Sequence, residues 1–176
     1  MKNIKIKPMF NRVNPPKIGL ITLASDYIIE KDFHNVIKNK NINLFVNRIE
    51  CYNPLNKENL IKMSQNITKV TKNILPGEKI DCVAYACTSG TIAAGYTSIK
   101  KKVEKAKPNT KLTTPSTSSI NALKKFKIKK IAVFTPYSKK LNITVLSSNQ
   151  ALIWDTLVKI NKNNSVEGFG KLFNEN

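Results

Sequence analysis

The sequence predicts an α/β protein in which a parallel sheet is flanked by helices. Short apolar runs, typical of buried strands, alternate with segments whose apolar residues recur every three or four positions, as in amphipathic helices. Polar and reactive side chains follow several of these runs, at the edge where parallel sheets bind ligands. The 176 residues are enough for one hydrophobic core, or for one domain and part of a second.

The first half of the chain contains the strongest helix signal. Segments 17–23 and 43–49 are apolar and predict two strands, and segment 28–38 between them predicts a helix with one apolar side. Asp26 lies in the polar loop after the first strand. Segment 56–74 predicts one long helix, because its apolar residues recur at spacings of three and four.

The stretch around Cys87 predicts a buried strand that turns into a helix. Residues 82–86 are apolar, and Thr88 and Ser89 are residue types that favour helix N-termini. The apolar residues Ile92, Ala93, Ala94 and Ile99 then indicate one helix. Cys87 is therefore expected at the turn, with its sulfur near free backbone N–H groups that favour a thiolate and can hold a carboxylate. A buried structural cysteine is the alternative interpretation of the same pattern.

The second half continues the alternation. Segment 111–119 predicts a short strand followed by a hydroxyl-rich helix cap, and segment 120–125 a short helix. Residues 128–134 predict a strand that ends near Tyr137, and residues 151–160 predict an apolar helix. Asp26, Cys87, Ser116 and Tyr137 would then all follow strand ends, which favours a functional role for Cys87.

Basic residues outnumber acidic ones by 30 to 11, which gives a net charge of +19. The arginines are Arg12 and Arg48 alone, whereas nucleic-acid binders use arginine for bidentate contacts to bases and phosphates. Because the lysines are scattered, we expect a solvated basic surface and no specific nucleic-acid partner.

Several other chemistries lack the residues they need. The single histidine, His34, falls within a predicted helix, and the three cysteines lack metal-site spacing, so no metal is expected. No glycine-rich nucleotide loop follows a strand, and no apolar run is long enough to span a membrane. The N-terminus has no secretory pattern, and the odd number of cysteines fits a reducing cytoplasm.

Four motifs resemble the maleate cis-trans isomerase branch of the Asp/Glu racemase superfamily, which also includes arylmalonate decarboxylases and ectoine-utilisation racemase-like proteins. They are Tyr85–Thr91, Thr114–Thr117, Thr135–Tyr137 with Asn142, and Ser148–Asp155. The resemblance implies two similar α/β domains with a cofactor-free site between them. It also implies a cysteine on each side of a small carboxylic acid.

The chain departs from this family pattern after Tyr137. The family has further βα structure there, including a second cysteine motif, but Tyr137 is only 12 positions from Asn149 and no cysteine follows Cys87. A βαβ unit needs about 30 residues, so we expect an internal deletion. Residues 1–115 with 146–176 would form the first domain, and residues 116–145 a remnant of the second. Apolar surface left uncovered by the remnant would favour a homo-oligomer.

The resemblance implies a cofactor-independent isomerase or racemase that acts on a small carboxylic acid. Cys87 would react as a thiolate and Tyr137 would stabilise developing charge. The implied substrate-binding residues are Asp26, Thr88, Ser89, Ser116, Thr117 and Asn142. Asp26 stands where maleate isomerases carry an amide, so the substrate need not be maleate. The alternative is a catalytically inactive remnant that serves as a binding or subunit protein, because the partner cysteine is missing.

Overall fold

The computed structural model describes residues 14–127 and 146–174, which contain a four-stranded sheet with helices on both faces. All strand pairs are parallel, and the strand order is β2-β1-β3-β4. The strands are β1 (Lys17–Leu23), β2 (Asn43–Ile49), β3 (Cys82–Tyr85) and β4 (Lys111–Thr113). The α/β class and the parallel sheet predicted from the sequence are confirmed.

Seven α-helices and one short 3-10 helix are present in the described ranges. They are α1 (Ile29–Ile37), α2 (Lys57–Gln65), α3 (Ile67–Lys72), α4 (Thr88–Ala94), α5 (Tyr96–Ala106), α6 (Pro115–Lys125), α7 (Ser148–Lys159) and the 3-10 turn Lys171–Phe173. No helix in these ranges is long and apolar enough to cross a membrane.

Apolar side chains form one core on each face of the sheet, because successive residues of a strand point to opposite sides. On one face, Ala84 of β3 belongs to a core with buried residues of α1, α6, α7 and the 3-10 turn. On the other face, Val83 and Tyr85 belong to a core with buried residues of α2, α3 and α5, and Cys87 joins that second core.

Helix α7 is attached to the sheet by a buried carboxylate. Asp155 accepts hydrogen bonds from Thr113 of β4, from Ser118 of α6 (3.2 Å), from Asn121 of α6 (3.0 Å) and from Lys159, one turn further along α7. Burial by itself raises the pKa of Asp155, but the hydrogen bonds from Lys159, Thr113 and Asn121 outweigh burial and hold that pKa below its usual value. The charged side chain of Asp155 therefore connects β4, α6 and α7 through hydrogen bonds.

Three predicted helices differ in their limits. The long helix expected over 56–74 divides at Asn66, whose side-chain amide donates to the Tyr52 hydroxyl (3.2 Å) while its backbone leaves the helical hydrogen-bond pattern. The helix after Cys87 divides at Gly95, which has a positive φ of 79° that side chains disfavour. Helix α6 begins at Pro115, five residues before the predicted start. The strand expected at 128–134 lies outside the described residues.

Candidate active site

Cys87 lies at the turn between β3 and α4, where the sequence predicts it. Its backbone is extended (φ −137°, ψ 106°), and the next residue, Thr88, begins the helix. The Cys87 sulfur caps the helix by accepting a hydrogen bond from the Gly90 N–H at 3.2 Å. The side chain is buried, with 3% of its surface exposed. The turn therefore presents a buried sulfur that acts as a hydrogen-bond acceptor.

The strand order places this turn at the switch point of the sheet. From β1 the chain runs outward to β2 and then returns to β3 on the other side of β1. The loops after β1 and β3, which carry Asp26 and Cys87, therefore leave neighbouring strands in opposite directions. Crevices at such points, beyond the carboxyl ends of the strands, are where open α/β sheets bind ligands.

Gly90 allows two functional groups to converge over the start of α4. A Cβ atom at Gly90 would lie 2.6 Å from the Tyr85 hydroxyl oxygen, 2.8 Å from the Cys87 sulfur and 3.0 Å from a methyl group of Met63. These distances are too short for any side chain at this position. The Tyr85 hydroxyl and the Cys87 sulfur thus share a space that exists because residue 90 is glycine.

Thr88 and Ser89 form the exposed first turn of α4. Their backbone N–H groups donate to no acceptor among the described residues, as expected for the first positions of a helix. The Ser89 hydroxyl lies 3.8 Å from the Cys87 sulfur. Two free N–H donors and a hydroxyl thus lie next to the thiol.

Asp26 is occupied by its own loop. Its carboxylate accepts hydrogen bonds from the backbone N–H groups of Ile28 (2.8 Å) and Ile29 (3.1 Å) at the start of α1. Arg48 donates to the backbone carbonyl of Asp26 (2.5 Å) and forms an ion pair with Glu30 (2.9 Å). Asp26 therefore stabilises the β1–α1 connection. A carboxylate near an anionic ligand needs hydrogen-bond donors around it, and the N–H groups of Ile28 and Ile29 are such donors for Asp26.

Ser116 and Thr117 lie in the first turn of α6, directly after β4. The Thr117 hydroxyl is 2.9 Å from the Thr114 hydroxyl, and the two side chains form a reciprocal capping box. Ser116 makes a longer contact of 3.4 Å to the Thr114 hydroxyl. Thr117 is thus committed to the helix cap, and Ser116 is the freer donor. Tyr137 and Asn142, the remaining predicted site residues, lie outside the described residues.

Two neighbours of the site, Tyr85 and Cys51, are not among the site residues predicted from the sequence. Tyr85 precedes Cys87 by two positions at the end of β3, and both side chains belong to the same core, so this spacing could have identified it. Cys51 follows β2, and its sulfur lies 3.8 Å from the Ser25 hydroxyl in the loop after β1. Both loops end at the same edge of the sheet as Cys87.

Two cavities lined by described residues lie away from Cys87. The larger, of ≈360 Å³, is bounded by α1, α7 and residues near the C-terminus, with Asp32, Gln150 and Phe173 among its lining residues. The Asp32 carboxylate there accepts a hydrogen bond from Asn149 (3.0 Å). Neither cavity includes a cysteine. No group of three potential metal ligands is present within 14–127 and 146–174.

Comparison with solved structures identifies the fold. The maleate isomerase Iso from Pseudomonas putida S16 matches over 91% of this chain and 98% of its own, with a TM-score of 0.75 and 15% identity. The maleate cis-trans isomerase from Nocardia farcinica, bound to TRIS, matches over 90% and 98%, with a TM-score of 0.70 and 12% identity. This chain has a maleate isomerase-like fold.

A further structure of the Nocardia farcinica enzyme, a cysteine-to-serine variant, contains a covalently bound succinylcysteine intermediate. It matches over 64% of this chain and 49% of its own, with a TM-score of 0.54 and 12% identity. By sequence, no protein family and no curated protein matches the chain. The resemblance first indicated by short motifs is therefore confirmed at the level of the fold.

Proposed function

We propose that this protein is a cofactor-independent isomerase that acts on a small dicarboxylic acid through the thiolate of Cys87. One observation carries the proposal: the Cys87 sulfur caps a helix at the switch point of a maleate isomerase-like sheet. A sulfur that accepts an N–H hydrogen bond at a helix N-terminus has the environment of a reactive cysteine.

The chemistry we propose is reversible addition to a double bond. The thiolate forms an S–C bond to one alkene carbon, and the electron pair of the double bond moves into the adjacent carboxylate group. The remaining C–C bond can then rotate. Return of the electron pair expels the thiolate and leaves the trans alkene. The succinylcysteine held by the Nocardia farcinica variant, which corresponds to this adduct with one proton added to the neighbouring carbon, supports addition of a cysteine sulfur to the double bond.

This route tolerates the loss of a partner cysteine better than racemisation does. Racemisation requires a base on one side of the substrate carbon and an acid on the other, whereas addition, rotation and expulsion return the same thiolate without net proton transfer. No cysteine follows Cys87 in the sequence. The missing partner therefore favours isomerisation over racemisation.

In this proposal, the substrate carboxylates are held by neutral donors. The N–H groups of Thr88 and Ser89 would bind one carboxylate next to the sulfur, and Ser116 would contact the substrate from the β4 side, beside Thr117. Tyr137 would donate a hydrogen bond to the charge that develops during addition, and Asn142 would support it. Asp26 would shape the crevice from the β1 side.

Conversion of maleate to fumarate, followed by proton NMR, tests the proposal. We expect turnover by the wild type, together with a protein adduct whose mass increases by one maleate and which maps to Cys87. Cys87→Ser should abolish both turnover and adduct. Cys82→Ala is the matched control, because Cys82 is fully buried in β3, outside the core that contains Cys87, and it should retain both.

The absence of a later cysteine also supports a second candidate, a binding or subunit protein that has lost catalysis. This candidate predicts that maleate or a related dicarboxylate binds without turnover and without a Cys87 adduct. Calorimetry on the wild type and Cys87→Ser separates the two functions, since a binding protein should retain its affinity in the serine variant.

A further inference from the structure

Tyr85 is a fully buried residue of β3 whose hydroxyl group has no hydrogen-bond partner among the described residues. Buried hydroxyl groups are normally paired, because losing water without gaining a partner is unfavourable. Phenylalanine would fill the same space without this cost. An unpaired hydroxyl in an otherwise apolar core therefore needs a reason.

The position of the hydroxyl supplies the reason. Tyr85 and Cys87 belong to the same core on one face of the sheet, and both side chains reach the space above Gly90. The hydroxyl oxygen and the sulfur each lie under 3 Å from the point that a Cβ atom at Gly90 would occupy. The unpaired hydroxyl group thus lies beside a sulfur that already accepts an N–H hydrogen bond.

We propose that Tyr85 is a positioning residue for Cys87, whose hydroxyl donates a hydrogen bond to the sulfur when Cys87 ionises. This inference rests on the proposed function, in which the Cys87 thiolate is the reacting group. Ionisation turns a weak acceptor into a charged one, and the charged sulfur can accept from Gly90 and Tyr85 together. The two donors would fix the direction of the sulfur and increase the fraction present as thiolate.

The electrostatic environment keeps Tyr85 in the form that can donate. Burial, followed by the neighbouring Cys87 thiol, raises the pKa of Tyr85 above its ordinary value, so the hydroxyl stays protonated while a thiol titrates. The titratable groups that act on Tyr85 across this space are the thiols of Cys87 and Cys51. Tyr85 is therefore a donor and not a base.

The same hydrogen bond would assist both halves of the proposed reaction. Before addition it holds the sulfur in place as an anion. After addition the sulfur is a thioether, a poor acceptor, so Tyr85 loses its partner. Expulsion of the thiolate restores that bond, and removal of the hydroxyl is expected to slow release of the product as well as formation of the adduct.

The test measures the rate of Cys87 alkylation by iodoacetamide against pH, using peptide mass spectrometry, in the wild type, Tyr85→Phe and Tyr96→Phe. Tyr96 is the matched control, because its hydroxyl contacts the backbone carbonyl of Leu112 (3.4 Å). We expect Tyr85→Phe to raise the midpoint of the profile by about one pH unit, which is about a tenfold loss of rate below the midpoint. Tyr96→Phe should leave the midpoint unchanged.

A midpoint in Tyr85→Phe equal to that of the wild type would overturn the role of Tyr85. If Tyr85→Phe does not fold, NMR of wild-type protein with ring-labelled tyrosine gives the answer: the Tyr85 signal should shift with the pH midpoint of the Cys87 thiol, and a constant signal would overturn the inference. Failure of the proposed function is distinguishable, because the wild type would then form no Cys87 adduct with maleate.

Discussion

Two cysteines, five positions apart, lie on and just after β3 in contrasting environments. Cys82 and Cys87 are equally buried, at 0% and 3% exposure. The Cys82 thiol points its proton at a backbone carbonyl, that of Val83 (3.9 Å), whereas the Cys87 sulfur accepts an N–H from Gly90. The direction of the hydrogen bond, rather than burial, separates a structural cysteine from a candidate catalytic one.

The surroundings of the two thiols extend this contrast. The charged groups that act on Cys82 include Asp155 and Lys159 of α7, which are fully engaged with each other and with their neighbours. Around Cys87, by contrast, the Tyr85 hydroxyl and the first N–H groups of α4 have no partners among the described residues. Satisfied polar groups stabilise a fold, and unsatisfied ones remain available to a ligand.

Alkylation of the native protein should show the largest difference between the two thiols. Burial raises the pKa of Cys82 to about 12, so at pH 8 about one molecule in ten thousand carries its thiolate. We expect iodoacetamide to label Cys87 at least about 100-fold faster than Cys82, and before Cys51 as well. Peptide mass spectrometry gives the three rates. In denaturant the rates should converge, and equal labelling of Cys82 and Cys87 in the native protein would contradict the comparison.

The variant Asp155→Asn tests whether the side of β3 that contacts α7 contributes to stability and not to the reactivity of Cys87. Removing the carboxylate leaves Lys159 without its ion pair and Thr113 and Ser118 without a charged acceptor. We expect the free energy of unfolding in urea to fall by about 2–3 kcal/mol. The matched control is Glu104→Gln in the exposed pair Lys100–Glu104, which has the same four-residue spacing and should change stability by less than about 0.5 kcal/mol.

Asp155→Asn should leave the alkylation rate of Cys87 unchanged, and a large loss of that rate would show that the two faces are coupled. The dependence of stability on acid pH provides a second check. The pKa of Asp155 is lower in the folded state than in the unfolded state, where it is about 3.9. The stabilisation of the fold by Asp155 is therefore complete above about pH 3.9 and is lost as the pH falls through the lower pKa of the folded state.

The stability of the folded protein at alkaline pH should also depend on the buried Cys82 thiol. Its pKa is about 12 in the folded protein and about 8.5 when unfolded, so the protonated form is favoured by folding. The stabilisation is complete below pH 8.5 and is lost as the pH rises toward 12, by about 1.4 kcal/mol per unit. Urea unfolding between pH 8 and 10 should therefore show a steeper decline for the wild type than for Cys82→Ala. Equal slopes would contradict the assigned environment of Cys82.

The sequence was sufficient for the sheet and for the turn at Cys87, because both depend on local patterns. An apolar strand followed by the helix-capping residue types Thr88 and Ser89 is enough to predict a strand-to-helix turn at Cys87. The long helix divides at Asn66, whose side chain contacts Tyr52 in another loop, and no periodicity within the helix predicts that contact. Gly95 was a local signal that the apolar pattern obscured, since its positive φ ends α4 within an otherwise helical sequence.

The positions of the candidate site residues could be predicted from the sequence, but the role of each side chain was harder to predict. Asp26, Cys87 and Ser116 follow strand ends, as predicted, because parallel strands bring their carboxyl ends to one edge. Whether a polar side chain is free depends on neighbours distant in sequence or in the next turn. Asp26 is occupied by the start of α1, and the pairing of Asp155 with Thr113 joins residues 42 positions apart. Tyr85 looked like a core aromatic residue until its hydroxyl was placed beside a sulfur.

The packing of α6 beside α7 has a consequence for how this chain could change in length. The two helices are neighbours in one layer, joined to each other by the Asp155 side chain, yet α6 ends at Lys125 and α7 begins at Ser148. Each start is closed by its own capping box. Doubling the connection between two docked helices costs only about 0.6 kcal/mol of chain entropy. A change in the length of this connection is therefore expected to cost little stability, provided that α6 and α7 keep their caps and their contacts to Asp155.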